Sequence, residues 1–167
     1  MANQNLSPKI PIYIALGTNL GDRLANLQSA IRQMPPEVTI LAQSPIYQTP
    51  PWGYADQPDF LNQVVMAETN LPPQALLDYL KALEVRVGRT PTFRYGPRVV
   101  DLDILFYGDL IYAQAGLQIP HPKLHERAFV VIPLYDLNPD FRHPLTGQTI
   151  REMRSSLDLT GITRFGT

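Results

Sequence analysis

Two stretches of helical period, each bracketed by short β-rich runs, constrain this chain more than any other feature. From Pro11 to Leu16 the run PIYIAL is apolar and rich in strand formers, and GTNLGD then supplies turn residues. Leu24, Leu27, Ile31 and Met34 recur at spacings of three and four, one apolar helix face, which Pro35-Pro36 ends. A second strand is expected from Val38 to Tyr47, and a third, LNQVVMAETN, from Leu61 to Asn70. Pro72 opens a second helix whose Leu76, Leu77, Leu80, Leu83 and Val87 form a stripe closed by Gly88. The run VVDLDILFYGD, from Val99, reads as a fourth strand. The order β-α-β-β-α-β predicts an α+β chain with a ferredoxin-like core, an antiparallel sheet carrying both helices on one face. The remainder is expected to add a β segment at Leu117–Ile119 and C-terminal helices near Leu124–Leu137 and Gln148–Leu157.

At 167 residues and 44% hydrophobic, the chain suits one compact core, with residues 11–160 as a single domain and residues 1–10 as a flexible N-terminal tail. Lys and Arg total 14 against 15 for Asp and Glu, so the composition offers neither a nucleic-acid footprint nor a basic membrane face. The partners expected are therefore small molecules. Without cysteine there is no disulfide framework, thiolate metal site or thiol nucleophile, and any metal must be held by oxygen or imidazole. Residues 1–10 lack the apolar stretch of a signal peptide, and no run approaches the roughly 20 apolar residues of a membrane span. A cytoplasmic protein is expected, monomeric, with a dimer left open.

The fourth strand carries the chemistry. Residues two apart on a strand share a face, so Asp101 and Asp103 point together while Val100, Leu102, Ile104 and Phe106 are expected on the opposite face. A lone Asp-x-Asp is more often a solvated strand face than a site. Here Arg89, Arg94 and Arg98 lie just upstream, in the loop RTPTFRYGPR. Guanidinium groups grip phosphate oxygens through forked, charge-assisted bonds, and a carboxylate pair suits one or two Mg²⁺ ions beside a polyphosphate. Together they point to phosphoryl transfer. The other long loop, QTPPWGYADQPDF, brings Trp52, Tyr54 and Phe60 near Asn62, a set suited to a flat heterocycle with donors and acceptors. In IPHPKLHERAFVVIPL, His121, His125 and Arg127 read as phosphate or nucleotide contacts, or as helix-start structure. The loop GTNLG is neither GxxxxGK[ST] nor GxGxxG, so ATP, if bound, is bound by other means.

From IALGTNLGDR through TPPWG, DFLNQVV, LEVRVGR and RYGPRVVDLDIL to PHPKLHERAFVVIPL, nearly the whole chain resembles the 6-hydroxymethyl-7,8-dihydropterin pyrophosphokinase family. The resemblance implies transfer of diphosphate from ATP to the pterin hydroxymethyl group, with release of AMP, in folate biosynthesis. It implies that Asp101 and Asp103 hold two Mg²⁺ ions and that Arg89 and Arg98 hold the triphosphate and support transfer. Thr49, Pro51 and Asn62 fall at pterin hydrogen-bonding positions, and Phe60 and Phe129 at those of two sandwiching rings. Pro50, Trp52 and Tyr95 complete the pterin side, while Lys81, Glu84, Ile104, His121 and Arg127 fall on the nucleotide side.

The chain departs from the family pattern at Pro91, where many members carry arginine, and at Tyr95, where tryptophan is usual. Lys81 stands for a frequent glutamine, Phe60 for a frequent tyrosine, and Pro122 for an aromatic residue. Two other classes fit these residues less well. A non-catalytic ferredoxin-like binding module would have no reason for arginines beside paired acids, and a metal-dependent nuclease would need a basic track for its polymer.

Overall fold

The computed structural model describes residues 7–51, 53–88 and 92–166. Its centre is the pairing of β1 (Ile10–Thr18) with β4 (Phe60–Thr69), antiparallel from Ile10↔Thr69 to Thr18↔Leu61. On the far side of β1 lies β5 (Asp101–Tyr107), an edge strand; on the far side of β4 lie β2 (Val38–Gln43) and β3 (Tyr47–Thr49), end to end. The single strand expected from Val38 to Tyr47 is therefore two. Proline at 45 has no N–H to give the ladder, and Ser44 bridges the break. Its hydroxyl accepts from the Val64 N–H at 3.0 Å, and its own N–H donates to the Val64 carbonyl at 2.9 Å.

The first face of the sheet matches expectation. Ile12, Ile14 and Leu16 of β1 and Leu102 and Ile104 of β5 pack against α1 (Arg23–Arg32) and α2 (Pro73–Val87), through Leu27 and Ala30 of one and Leu76, Leu80 and Leu83 of the other. The Asp22 carboxylate caps α1 by accepting from the Ala25 N–H at 3.1 Å. Leu24, counted in the apolar face, instead sits at its rim.

The opposite face is also covered, though over only part of its length. Tyr13, Val64, Leu105 and Phe106 meet Val130, Val131 and Leu134 of α3 (Ala128–Leu137) and Ile150 and Met153 of α4 (Ile150–Ser155). Phe106 is thus on the acidic face rather than opposite it. The register between β1 and β5 shifts between Tyr13 and Ile14, and this bulge reverses the alternation beyond Ile104. The first C-terminal helix begins later than its apolar pattern suggests, because Leu124–Glu126 form a separate 3₁₀ turn.

Two further pairings complete the fold, one of them made by the strand expected at Leu117–Ile119. A hairpin joins β6 (Tyr112–Gln114) to β7 (Leu117–Ile119) through Ala115 and Gly116, both at positive φ. At the C-terminal end β8 (Thr163–Arg164) pairs with β3, extending the sheet beyond the four strands expected to six. Among the described residues no helix is long and apolar enough to cross a membrane.

Candidate active site

Where α3 leaves the second sheet face uncovered, three strands set side chains in rows. Asp101 pairs with Gly17 and Gly17 with Asn62; one row along, Asp103 pairs with Ala15 and Ala15 with Val64. Gly17 therefore separates Asp101 from the Asn62 amide, and Ala15 separates Asp103 from Val64. A Cβ on Gly17 would crowd Asn62 Oδ1 at 3.1 Å and meet the Phe60 ring at an ordinary 3.7 Å. Above this floor opens a cavity.

The ring side of the cavity is lined by Thr49, Pro50, Phe60, Asn62, Tyr95 and Phe129. Asn62 Nδ2 donates to Thr49 Oγ1 at 2.7 Å, with both side chains buried, so the amide orientation is fixed and Oδ1 faces the cavity floor. Pro51 is described but lies outside the lining, and Trp52 lies outside the described residues. Tyr95 carries a positive φ of 58°, a conformation costing on the order of 1 kcal/mol for a residue with a Cβ. Its hydroxyl accepts from Lys123 Nζ at 2.8 Å and Arg94 Nη2 at 3.0 Å, and these two cations hold the phenol below its usual range.

The charged side is formed by Asp101, Asp103, Arg98, His121 and Arg127. Burial, and then the Asp101 charge, push the Asp103 carboxyl up to about 6. Burial pushes His121 down to about 4, with Arg127 and Lys123 adding to the effect. His121 Nδ1 accepts from the Lys123 N–H at 3.2 Å, which assigns the remaining proton to Nε2 and makes the ring a neutral donor. Arg98 Nη1 rests on carbonyls of its own loop, 3.2 Å from that of Phe93 and 3.1 Å from that of Gly96. Of the remaining expected residues, His125 is exposed beside Glu126, and Arg89 lies outside the described residues, as does Pro91.

A second hollow adjoins the first and shares Asp103 and His121 with it. Lys81, Ile104 and the β6–β7 hairpin line it. Glu84 lies beneath rather than in either wall. Its buried carboxylate accepts from the Leu102 N–H at 2.8 Å on the open edge of β5, and from Lys81 Nζ at 3.1 Å.

Among the described residues no group of three or more His, Cys, Asp or Glu side chains is assembled. Two hard carboxylate ligands facing open space nevertheless fit Mg²⁺, which commonly takes one or two carboxylates and completes its shell with water and substrate phosphate. Gly17 in the cavity floor, and Gln57 and Lys123, which bond to Tyr95, carry no sequence signal of these roles. Gly17 and Gln57 sit in quoted motifs whose local chemistry is that of turns, and Lys123 reaches Tyr95 only through the tertiary fold.

Comparison with known proteins places the chain in a family. A family model, 7,8-dihydro-6-hydroxymethylpterin-pyrophosphokinase (HPPK), matches residues 13–139. The 2-amino-4-hydroxy-6-hydroxymethyldihydropteridine pyrophosphokinase of Pseudomonas aeruginosa is 42% identical over 155 residues, 92% of this chain and 95% of that one. The protein of the same name from Methylorubrum extorquens is 40% identical over 154 residues, covering 91% and 96%. A folic acid synthesis protein of Dictyostelium discoideum is 39% identical over 155 residues, but this chain spans only 23% of its length. Among solved structures, wild-type HPPK-DHPS of Plasmodium falciparum superposes with a TM-score of 0.72 at 16% identity, over 91% of this chain and 42% of that one, and so shares the fold. On the family match and these full-length relatives, the chain belongs to the 7,8-dihydro-6-hydroxymethylpterin-pyrophosphokinase family.

Proposed function

We propose that this chain transfers diphosphate from ATP to the hydroxymethyl group of 6-hydroxymethyl-7,8-dihydropterin, releasing AMP, as a step of folate biosynthesis. One observation carries the reading: a ring-sized cavity and a second hollow meet at Asp103 and His121, so two substrates bound in them would touch there. The pterin lies over Gly17 between Phe60 and Phe129, its polar edge toward Asn62 and Thr49. The nucleotide occupies the second hollow, between Lys81, Ile104 and the hairpin, with its phosphates running to Asp103 and His121.

The hydroxyl oxygen attacks the β-phosphorus; the bond from that phosphorus to the α–β bridging oxygen breaks, AMP leaves, and the hydroxyl proton passes to solvent. Asp101 and Asp103 would hold two Mg²⁺ ions, which when bound neutralise charge on the attacking and leaving oxygens. Arg98 and Arg127 supply guanidinium N–H groups to the phosphates, with Arg89 assigned to the same task by its sequence position. The neutral Nε2–H of His121 donates to a phosphate oxygen without depending on pH near neutrality. Phe60, Phe129 and Tyr95 exclude water that would otherwise compete for the β-phosphorus. All these residues come from one chain, and we take the working form to be a cytoplasmic monomer acting on small diffusible substrates.

The test is AMP release from ATP in the presence of Mg²⁺, with and without the pterin, and again with chelator. Pterin-dependent, chelator-sensitive AMP is expected. ADP as product would replace diphosphate transfer with single phosphoryl transfer, and no turnover would leave a binding protein.

A further inference from the structure

Tyr95 stands at the rim of the ring-side cavity with φ at 58°, a conformation that a residue with a Cβ keeps only where its surroundings hold it. Its ring lies against Gly53, where a Cβ would come within 2.7 Å of two ring carbons. Its hydroxyl accepts from two cations, and these differ in what they can hold. Arg94, at 3.0 Å, is the sequence neighbour of Tyr95, so its contact travels with the loop. Lys123 Nζ, at 2.8 Å, lies 28 residues further along the chain. The Lys123 backbone is fixed to the body of the fold: its N–H donates to His121 Nδ1 at 3.2 Å, its carbonyl accepts from the Glu126 N–H at 3.1 Å, and Leu124 beside it is fully buried. The ammonium also stands 5.4 Å from the centroid of the Tyr95 ring, within cation–π range. Lys123 itself lines neither hollow.

Building on the diphosphate-transfer reading, we propose that Lys123 is a positioning residue for the pterin: its ammonium anchors the Tyr95 hydroxyl and so holds the Tyr95 ring at the rim of the ring-side cavity. The lysine acts through Tyr95, from outside the cavity, and touches neither substrate. The pair is matched in chemistry. A phenol oxygen offers lone pairs, and an ammonium has only hydrogens to give. Tryptophan at 95 would set an N–H donor against the ammonium, and phenylalanine would offer it no acceptor. Each side chain therefore depends on the identity of the other.

The experiment compares the wild-type protein with Lys123→Met, Lys123→Arg, Tyr95→Phe and the Lys123→Met/Tyr95→Phe double variant. In steady-state kinetics with each substrate varied, Lys123→Met and Tyr95→Phe should each raise the KM for the pterin by about 5- to 20-fold, the effect of one charge-assisted hydrogen bond reduced by its partial exposure. The KM for ATP and kcat should stay within about twofold, as expected when only uniform binding of the pterin is lost. Lys123→Arg keeps a cationic donor and should stay within about threefold of wild type in every parameter. The double variant should be no worse than the poorer single variant. A second readout needs no substrate: alkaline titration followed by phenolate absorbance reports the 8 tyrosines of the chain. The hydrogen bond from Lys123, and then that from Arg94, hold Tyr95 below the usual range, so an early phase is expected. Tyr95→Phe should remove that phase, and Lys123→Met should move it back toward the other tyrosines.

A pterin KM left within about twofold of wild type by Lys123→Met, equal rises in both KM values, or losses that multiply in the double variant would each overturn the proposal. So would an early titration phase that Lys123→Met leaves in place. Lys123→Gln serves in its stead if Lys123→Met does not fold. Should the wild-type protein form no pterin-dependent AMP, the proposed reaction fails, and the phenol titration then decides the anchoring of Tyr95 by Lys123 on its own.

Discussion

At the scale of single residues, the site rests on two positions that resist substitution for opposite reasons. Asp103 is a carboxyl that burial and Asp101 hold near pH 6, against 3.8 for an ordinary aspartate. The folded state therefore keeps a proton that the unfolded chain has lost, so stability present below about pH 4 falls as pH rises to about 6 and is level beyond it. Mg²⁺ competes with that same proton, so its apparent affinity should rise across this window, which calorimetric titration at pH 5 and 7.5 measures. Asp103→Asn should raise stability at pH 7.5 by about 1–2 kcal/mol in denaturant unfolding, because the uncomfortable charge is gone. The same substitution should lower turnover by about 10²-fold or more. Gly17 acts by absence: an added methyl would crowd Asn62 Oδ1 at 3.1 Å. Gly17→Ala is expected to raise the KM for the pterin by about tenfold, a loss near 1.4 kcal/mol, while leaving the KM for ATP alone.

At the scale of elements, the exposed edge of β5 explains Glu84 better than a direct role in either hollow. An edge strand leaves N–H groups without partners, and the Leu102 N–H, between the two acids, donates to a buried carboxylate instead. Glu84→Ala should cost about 1–3 kcal/mol in urea unfolding through loss of that acceptor, and Glu84→Gln, which retains an acceptor oxygen, should recover most of it. The Asp-x-Asp strand is thus braced by α2 from outside and by β1 from inside. On the other side of the sheet, the Tyr47 hydroxyl on β3 donates to Asp136 on α3, and burial together with that bond pushes the phenol up to about 12. This bond ties the ring-side strand to the helix that carries Phe129.

At the scale of the whole molecule, the C-terminal segment closes the ring side. Phe165 N–H donates to the Ile46 carbonyl at 2.8 Å, and Gly161 packs against Pro50, where a Cβ would come within 3.3 Å. Removing residues 160–167 should lower Tm by roughly 2–8 °C, for a loss of about 1–2 kcal/mol. It should also raise the pterin KM several-fold more than the ATP KM, which steady-state kinetics with each substrate varied would check. An equal effect on both would mean that β8 supports the sheet generally rather than β3 and Thr49 in particular.

Sequence by itself determined the β-α-β-β-α-β order of the core apart from the division of its second strand, the shared face of Asp101 and Asp103, and the two loops that flank the cavity. These follow from periods of 2 and 3.6 and from turn residues, all local properties of the chain. The register was decided only by the tertiary structure. The bulge that brings Phe106 onto the acidic face and the pairing of β8 with β3 each depend on which strand lies alongside. So do the covering of the second face by α3 and the hydrogen bonds between the Asn19 side chain and loops some forty and eighty residues away. A hydrogen bond or a packed ring across such distances leaves no periodic trace, because its energy depends on a partner that the local chain does not contain.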